Sequence, residues 1–446
     1  MPEEKEQWSS RIGFILSSAG AAIGLGAIWK LPYVTGMSGG GAFFLIFVLF
    51  TLLIGLPMLI SEFVIGRGSG KEAISAYKKL APDSLWVWVG RLGVVGCFLL
   101  LSFYSVVGAW VGVYTGKSII GQVIGDGVNY GALFDSVTGS PMITITGLLI
   151  FTLINVLVIA TGIKNGIERA NRFMMPLLFI FFLILVVRAL TLDGAWEGVK
   201  FFLNPDFSNI TRESVLYALG QSFFSLAVGF SCMVTYSSYL KKDVNLRSSA
   251  GSVVGMNIFV SLLAGLAIFP VVFAFGYEPT EGPGLLFVVL PAVFSELPFG
   301  QLFLALFLLL FLFATLTSAF SLYEIIVAAF TKDDKRSRKV VTWWTGLIVF
   351  CAAIPSALSS SLLANIEIFK LDIFDATDFL VSNIMLPIGC LGIALFISRR
   401  MDQALVRSEF MRGTDKEGLY STWLFLMRWV VPLTIVIVMI SLFGII

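Results

Sequence analysis

The sequence predicts an all-α integral membrane protein of about eleven transmembrane helices, and three observations carry that prediction. Of its 446 residues, 57% are hydrophobic and 13% charged, with a mean hydropathy of +0.93, whereas soluble domains hold about 25% charged residues. Apolar runs of roughly 17–25 residues, the length that crosses a bilayer, recur from end to end. Two of these runs, five spans apart, are interrupted at their middles by Gly and Ser, which a single lipid-facing helix does not tolerate.

The runs fall near residues 11–35, 40–66, 86–117, 141–161, 166–190, 215–239, 246–276, 299–330, 337–357, 376–398 and 423–446. They form one polytopic domain, 1–446, in which 10–190 reads as a first five-helix inverted repeat, 215–398 as a second, and 423–446 as an extra C-terminal helix. Met1–Trp8 is charged and short, without the order of a signal peptide, so the first span is expected to stay in the mature protein. Alternate crossing puts 24 of the 30 Lys and Arg on one side, which the positive-inside rule makes cytoplasmic. This gives a multi-pass plasma-membrane protein, in bacteria the inner membrane, with a cytoplasmic N-terminus and an extracellular C-terminus. The net charge of +2 therefore reflects sorting by membrane side and does not point to nucleic acid. On the outer side, Leu285–Leu297 is apolar but too short to span, with Pro279, Pro283, Pro291 and Pro298 in and around it; it reads as a re-entrant or lid hairpin, with an ordinary long loop as the alternative.

Composition also removes reaction classes. There is no histidine, which excludes triads, His-ligated zinc and histidine proton relays. Cys97, Cys232, Cys351 and Cys390 each lie in apolar runs and read as small buried hydrophobes. Glu62 reads as the only carboxylate clearly at span depth and has no evident catalytic companion; it is taken as a buried, helix-linking residue, and the chain as no enzyme.

The first break runs through Ser17-Ser18-Ala19-Gly20-Ala21-Ala22-Ile23-Gly24-Leu25-Gly26, the second through Gln221-Ser222 and Ser225 to Gly229-Phe230-Ser231. Matched breaks in two halves point to a transporter. Half-helix N-termini there suit a carboxylate, and half-helix C-termini suit an ammonium or Na⁺. A zwitterionic amino acid matches both. Tyr104, Asn257, Thr317 and Ser318 add neutral oxygens on other spans, as a hard cation prefers.

At these residues the sequence resembles the neurotransmitter:sodium symporter family, in particular its bacterial amino-acid transporters of the leucine-transporter type. The shared features are Trp8 and Arg11, Gly24-Leu25-Gly26, Trp29-Lys30-Leu31-Pro32-Tyr33, Gly39-Gly40-Gly41-Ala42-Phe43, Gly55-Leu56-Pro57 with Glu62 and Gly66-Arg67, Tyr104, Gln221-Ser222-Phe223-Phe224-Ser225, and Ala314 to Ser318. Family members often have a twelfth helix; eleven are read here.

The resemblance implies a sodium-coupled symporter that imports a neutral, hydrophobic or aromatic, L-amino acid by alternating access. An amino-acid-binding sensor or a channel is the rival reading. The implied substrate site comprises Ala21, Ala22, Gly24, Leu25, Gly26, Leu100, Tyr104, Phe223, Phe224, Ser225, Ala227, Phe230, Ser318 and Leu322. Gly24 stands where monoamine-transporting relatives are expected to carry an aspartate. Sodium site 2 is implied at the carbonyls of Gly20, Ile23 and Ala314 with the hydroxyls of Thr317 and Ser318; sodium site 1 at the Ala22 carbonyl, Ser225, Asn257 and the substrate carboxylate. The usual asparagine beside site 1 is Ala27 here, so one or two Na⁺ are implied. Ser261 and Phe47 leave chloride coupling open, and nothing indicates the oligomeric state.

Lys30 and Asp378 resemble the family's outer gate, and Lys5, Trp8, Tyr239 and Asp333 its inner latch. Gly166 and Pro176 are spaced as in members whose fifth helix unwinds; a plain proline kink is the alternative.

Overall fold

The computed structural model describes residues 6–125, 127–277, 282–331, 337–413 and 416–442. Lys5 and Asp333 of the expected inner latch lie outside these residues. Among the described residues the chain is helical, with one isolated bridge between Ile368 and Leu371. Among the described residues, nine helices are long and apolar enough to cross a membrane: Gly41–Ser69, Val87–Ile119, Pro141–Ala160, Ile163–Leu190, Leu246–Ala274, Gly300–Thr331, Arg338–Ala357, Ile373–Arg400 and Glu417–Ser441. The first span is the pair Arg11–Ala22 and Gly26–Met37, bent by 52° at its break. Arg212–Phe224 and Cys232–Ser238, each too short alone, make up the sixth. That is eleven spans, with discontinuous first and sixth, as the sequence predicts.

Helix starts follow local chemistry. Ser140, Asn245 and Asp372 accept hydrogen bonds from the third backbone N–H beyond them, and Thr211 forms a reciprocal capping box with Ser214. Pro141 sits in the first turn, where no N–H is missed.

The third and eighth spans pack along one another at the centre, and the second carries Cys232–Ser238, the second half of the sixth. A buried ion pair locks one end of the bundle: Arg67 Nε reaches Glu409 Oε2 at 2.5 Å, and its Nη atoms donate to the carbonyls of Val244 and Glu409. This ties the connecting helix Gln403–Met411 to the second span.

Three expectations change. The fifth span is not unwound: Gly166 lies in a π-helical first turn, Ile163–Glu168, and Pro176 sits inside the continuous helix Arg169–Leu190. Cys351 is exposed, while Cys97 and Cys232, both buried, bring their Sγ atoms to 3.2 Å. Glu62 has company at depth, since Glu324 in the eighth span is also fully buried. Of the outer apolar piece, 278–281 lie outside the described residues; the rest forms a turn at Gly282–Leu285 and a short buried helix Val289–Ser295. Phe287 between them stacks on Phe134 and meets Trp110, Tyr114 and Phe311 edge-on or tilted, so the piece is packed down onto the third and eighth spans.

Candidate functional site

The first span stops being helical at Ile23, whose ψ of 78° turns the chain out of the helix after its N–H has bonded Ala19. Gly24 N–H folds back to the Ala22 carbonyl at 3.1 Å, and a new helix starts with Ile28 bonding Gly24 at 3.2 Å. The sixth span breaks over 225–231, where Ala227, Gly229 and Ser231 take φ values of 51°, 100° and 59°. Positive φ at every second residue cannot propagate a right-handed helix. Gly229 is also packed too tightly for a side chain, because a Cβ would lie 2.7 Å from Cys390 Sγ and 3.0 Å from the Leu386 carbonyl.

Backbone groups freed by a break need partners. Glu62 meets those of the sixth span: Oε1 accepts from Gly229 N–H at 2.7 Å and Oε2 from Met233 and Val234 at 3.0 and 3.3 Å. Gln221 Nε2, in the helix leading into the second break, donates to the Gly26 carbonyl at the first at 2.5 Å.

Between the breaks lies a cavity of about 30 Å³. Ala21, Ala22, Gly24, Leu25, Gly26, Leu100, Tyr104, Phe224, Ala227, Phe230, Ser318 and Leu322 line it. Two expected members do not. Phe223 is turned into the helix packing and is 2% exposed, and Ser225 is buried against Asn257. Helical rotation separates them from Phe224, which faces the cavity from between them. Cys232 and Leu386 line it and were missed; both are apolar or weakly polar residues in apolar runs, with no local signal that could have found them.

The cavity is almost wholly apolar, and its polar atoms converge at one end. Tyr104 Oη receives Leu25 N–H at 3.5 Å. Ser318 Oγ donates toward the carbonyls of Gly20 and Ala21 at 2.9 and 3.1 Å. A Cβ on Gly24 would collide with Ser318 Oγ and lie 2.7 Å from Tyr104 Oη.

The residues of the two implied sodium sites gather in two groups. Gly20, Ala314, Thr317 and Ser318 meet across the first and eighth spans, with Thr317 Oγ1 donating to the Ala314 carbonyl at 3.1 Å and a Cβ on Gly20 lying 3.0 Å from Thr317 Cβ. Ser225 and Asn257 meet across the sixth and seventh, with Asn257 Nδ2 donating to the Ser225 carbonyl at 2.9 Å. Ala27 is fully buried nearby and brings no side-chain oxygen. Among the described residues no cluster of three or more Cys, Asp or Glu offers a charged metal site.

At one end of the cavity, Lys30 Nζ lies 3.1 Å from Asp378 Oδ2 and 5.1 Å from the centroid of the Phe224 ring, so the cation joins the ion pair to the aromatic wall. At the other end, Trp8 Nε1 donates to the Tyr236 carbonyl at 2.8 Å and Tyr239 Oη to Glu324 Oε1 at 2.8 Å. Sequence reasoning missed the rest of this polar cluster. Arg338 forks onto Glu324 and approaches Glu6 at 3.8 Å, and Glu168 holds the Ser9 N–H and hydroxyl at 2.8 and 2.5 Å. An acidic residue in each of two apolar helices was the available signal.

This architecture has close counterparts. The model of the sodium:neurotransmitter symporter family matches residues 5–125 and 132–445. The chain belongs to that family. Sodium-dependent transporter YhdH of Bacillus subtilis (strain 168) is 53% identical over 448 residues, covering 100% of this chain and 99% of the relative. A sodium-dependent transporter of Haemophilus influenzae is 36% identical over 452 residues, covering 98% of each. The crystal structure of MhsT in complex with L-phenylalanine matches with a TM-score of 0.92 at 39% identity, covering 98% of this chain and 99% of that one. As a member of the sodium:neurotransmitter symporter family, the chain is a multi-pass, sodium-dependent membrane transporter and not an enzyme.

Proposed function

We propose that this transporter imports a neutral, hydrophobic or aromatic, L-amino acid across the plasma membrane by Na⁺ symport with alternating access. The single observation that carries the substrate class is the asymmetry of the cavity. Leu100, Phe224, Ala227, Phe230 and Leu322 make an apolar wall, against which a charged side chain would lose its hydration without compensation. The polar end faces the start of the outer half of the first span. Of the two half-helix N-termini at mid-depth, that of the sixth span is already occupied by Glu62. The free one, near Leu25 and Gly26, is therefore where a substrate carboxylate gains most from the helix dipole, with the Tyr104 hydroxyl beside it. Support from a relative is of the same kind, since the MhsT structure holds L-phenylalanine.

In this reading 10–190 and 215–398 are inverted repeats around the site, the N-terminus is cytoplasmic and the C-terminus extracellular. Site 2 is formed by Gly20, Ile23, Ala314, Thr317 and Ser318, and site 1 by Ala22, Ser225 and Asn257. Lys30 with Asp378, and Trp8 with Tyr239, are the outer and inner gates. The deciding experiment is uptake of a full amino-acid panel into proteoliposomes, imposing Na⁺, Cl⁻ and pH gradients one at a time. Concentrative uptake of neutral apolar amino acids driven by inward Na⁺ is expected. Saturable binding without accumulation would make the protein a sensor, and non-saturating flux a channel.

A further inference from the structure

One buried oxygen beside the second sodium site is unexplained by hydrogen bonding. Asn171, in the fifth span, is fully buried. Its Nδ2 donates to the Ile167 carbonyl at 2.8 Å. Only the amide nitrogen can make that bond, so the orientation of the group is settled and Oδ1 points away from its own helix turn. Oδ1 has no hydrogen-bond partner. Its neighbour across the gap is Gly20, where a Cβ would run into Asn171 Oδ1 while lying 3.0 Å from Thr317 Cβ. The unpaired oxygen is thus aimed at the junction of the first and eighth spans, where Thr317 packs against Gly20 and the Ser318 hydroxyl donates to the Gly20 carbonyl.

A buried acceptor with no donor is costly to keep, and native structures leave few of them. A hard cation resolves the cost, because it binds neutral oxygens from several directions and needs no proton from any of them. We propose that Asn171 Oδ1 is an additional ligand of the Na⁺ held between the first and eighth spans, contributed by the fifth. The inference rests on the placement of sodium site 2 in the preceding section and names a residue beyond that set.

The consequence is a link between ion and cytoplasmic gate. Asn171 lies one turn from Glu168, the carboxylate that holds Ser9 of the N-terminal segment, and just past the π-helical turn Ile163–Glu168. Release of Ser9 and movement of that first turn would draw an oxygen away from the ion on its cytoplasmic side. Gly20 must stay side-chain-free for the approach.

The test is binding of radiolabelled Na⁺ to the purified full-length protein, with Asn171→Leu, which keeps the volume and removes the oxygen, and Asn171→Asp, which supplies a charged oxygen in its place. Asn171→Leu is expected to raise the half-saturating Na⁺ about tenfold or more, as loss of one ligand from a small oxygen shell should. Asn171→Asp is expected to bind Na⁺ at least as tightly as the wild type at neutral pH and to lose that affinity on acidification, which the wild type does not do. Na⁺ binding by folded Asn171→Leu within about twofold of wild type, or by Asn171→Asp with neither change in affinity nor new pH dependence, overturns the proposal. Should Asn171→Leu not fold, the Asp variant decides alone. Thr317→Ala with Ser318→Ala is run beside them. If that pair also binds Na⁺ like the wild type, the placement of site 2 itself has failed; if it loses Na⁺ while Asn171→Leu retains it, only the role of Asn171 has.

Discussion

Glu62 Oε1 accepts the Gly229 N–H at 2.7 Å, so a carboxylate of the second span closes the break in the sixth. Three backbone donors converge on one fully buried side chain. Its negative charge also sits where the dipole of the following half-helix favours it. Glu62→Gln keeps the shape but turns one acceptor into a donor facing backbone N–H groups. The variant is expected to be destabilised by about 1.5–3 kcal/mol, the range for hydrogen bonds to a charged group, and to lose transport in proportion. Thermal unfolding in detergent measures it, and a melting temperature equal to wild type would remove Glu62 from this role.

Tyr104→Phe preserves the ring that closes the cavity and deletes the hydroxyl next to Leu25 N–H. Substrate binding is expected to weaken by about 1.5–3 kcal/mol, again the value of a charge-assisted hydrogen bond. Equilibrium binding of the best substrate from the uptake panel checks this; affinity unchanged within about twofold would mean the carboxylate is held elsewhere.

Thr317→Ala together with Ser318→Ala should abolish Na⁺-stimulated substrate binding while leaving the protein folded. Both hydroxyls now donate to carbonyls of the same site, Thr317 to Ala314 and Ser318 to Gly20 and Ala21. They can turn their lone pairs to an ion without any backbone movement. Substrate titrations with Na⁺ and with choline compare the two states, and persistent Na⁺ stimulation would place the ion outside this cluster.

At the other sodium site, coupling is expected to approach one Na⁺ per substrate. Ala27 offers no oxygen, and the Gly26 carbonyl beside it is taken by Gln221 at 2.5 Å. Ala27→Asn should then raise the apparent Na⁺ affinity and steepen the Na⁺ dependence of uptake. A wild-type Hill coefficient clearly above one, unaltered by Ala27→Asn, would show that the shell is already complete.

How much of this was readable beforehand depended on distance along the chain. Both breaks were legible because Gly and Ser in the middle of an apolar run are conspicuous, and the structure interrupts the helix at Ile23 and again over 225–231. Lys30 and Asp378 were legible only through the family resemblance, and they pair at 3.1 Å. Phe223 and Ser225 misled because three consecutive helical residues cannot share a face. Cys232 and Leu386 left no trace, since what brings them to the cavity is the packing of distant spans. Glu324 stood out only as a lone carboxylate in a long apolar helix; that signal names no partner, and the Arg338 fork that pairs with it comes from the next span.

The crowding at Gly24 has an evolutionary reading. Ser318 Oγ and Tyr104 Oη already fill the space that any side chain at position 24 would enter. A descendant selected for amines, which bring no carboxylate of their own, would need an acid at that position. Gly24→Asp arriving first is expected to be a dead end, because it meets Ser318 before it can meet a ligand. Ser318→Gly or Ser318→Ala arriving first opens the room while surrendering a hydroxyl of the ion cluster. The two positions are therefore epistatic, and the order in which they mutate constrains how a lineage built on this pocket can change what it carries.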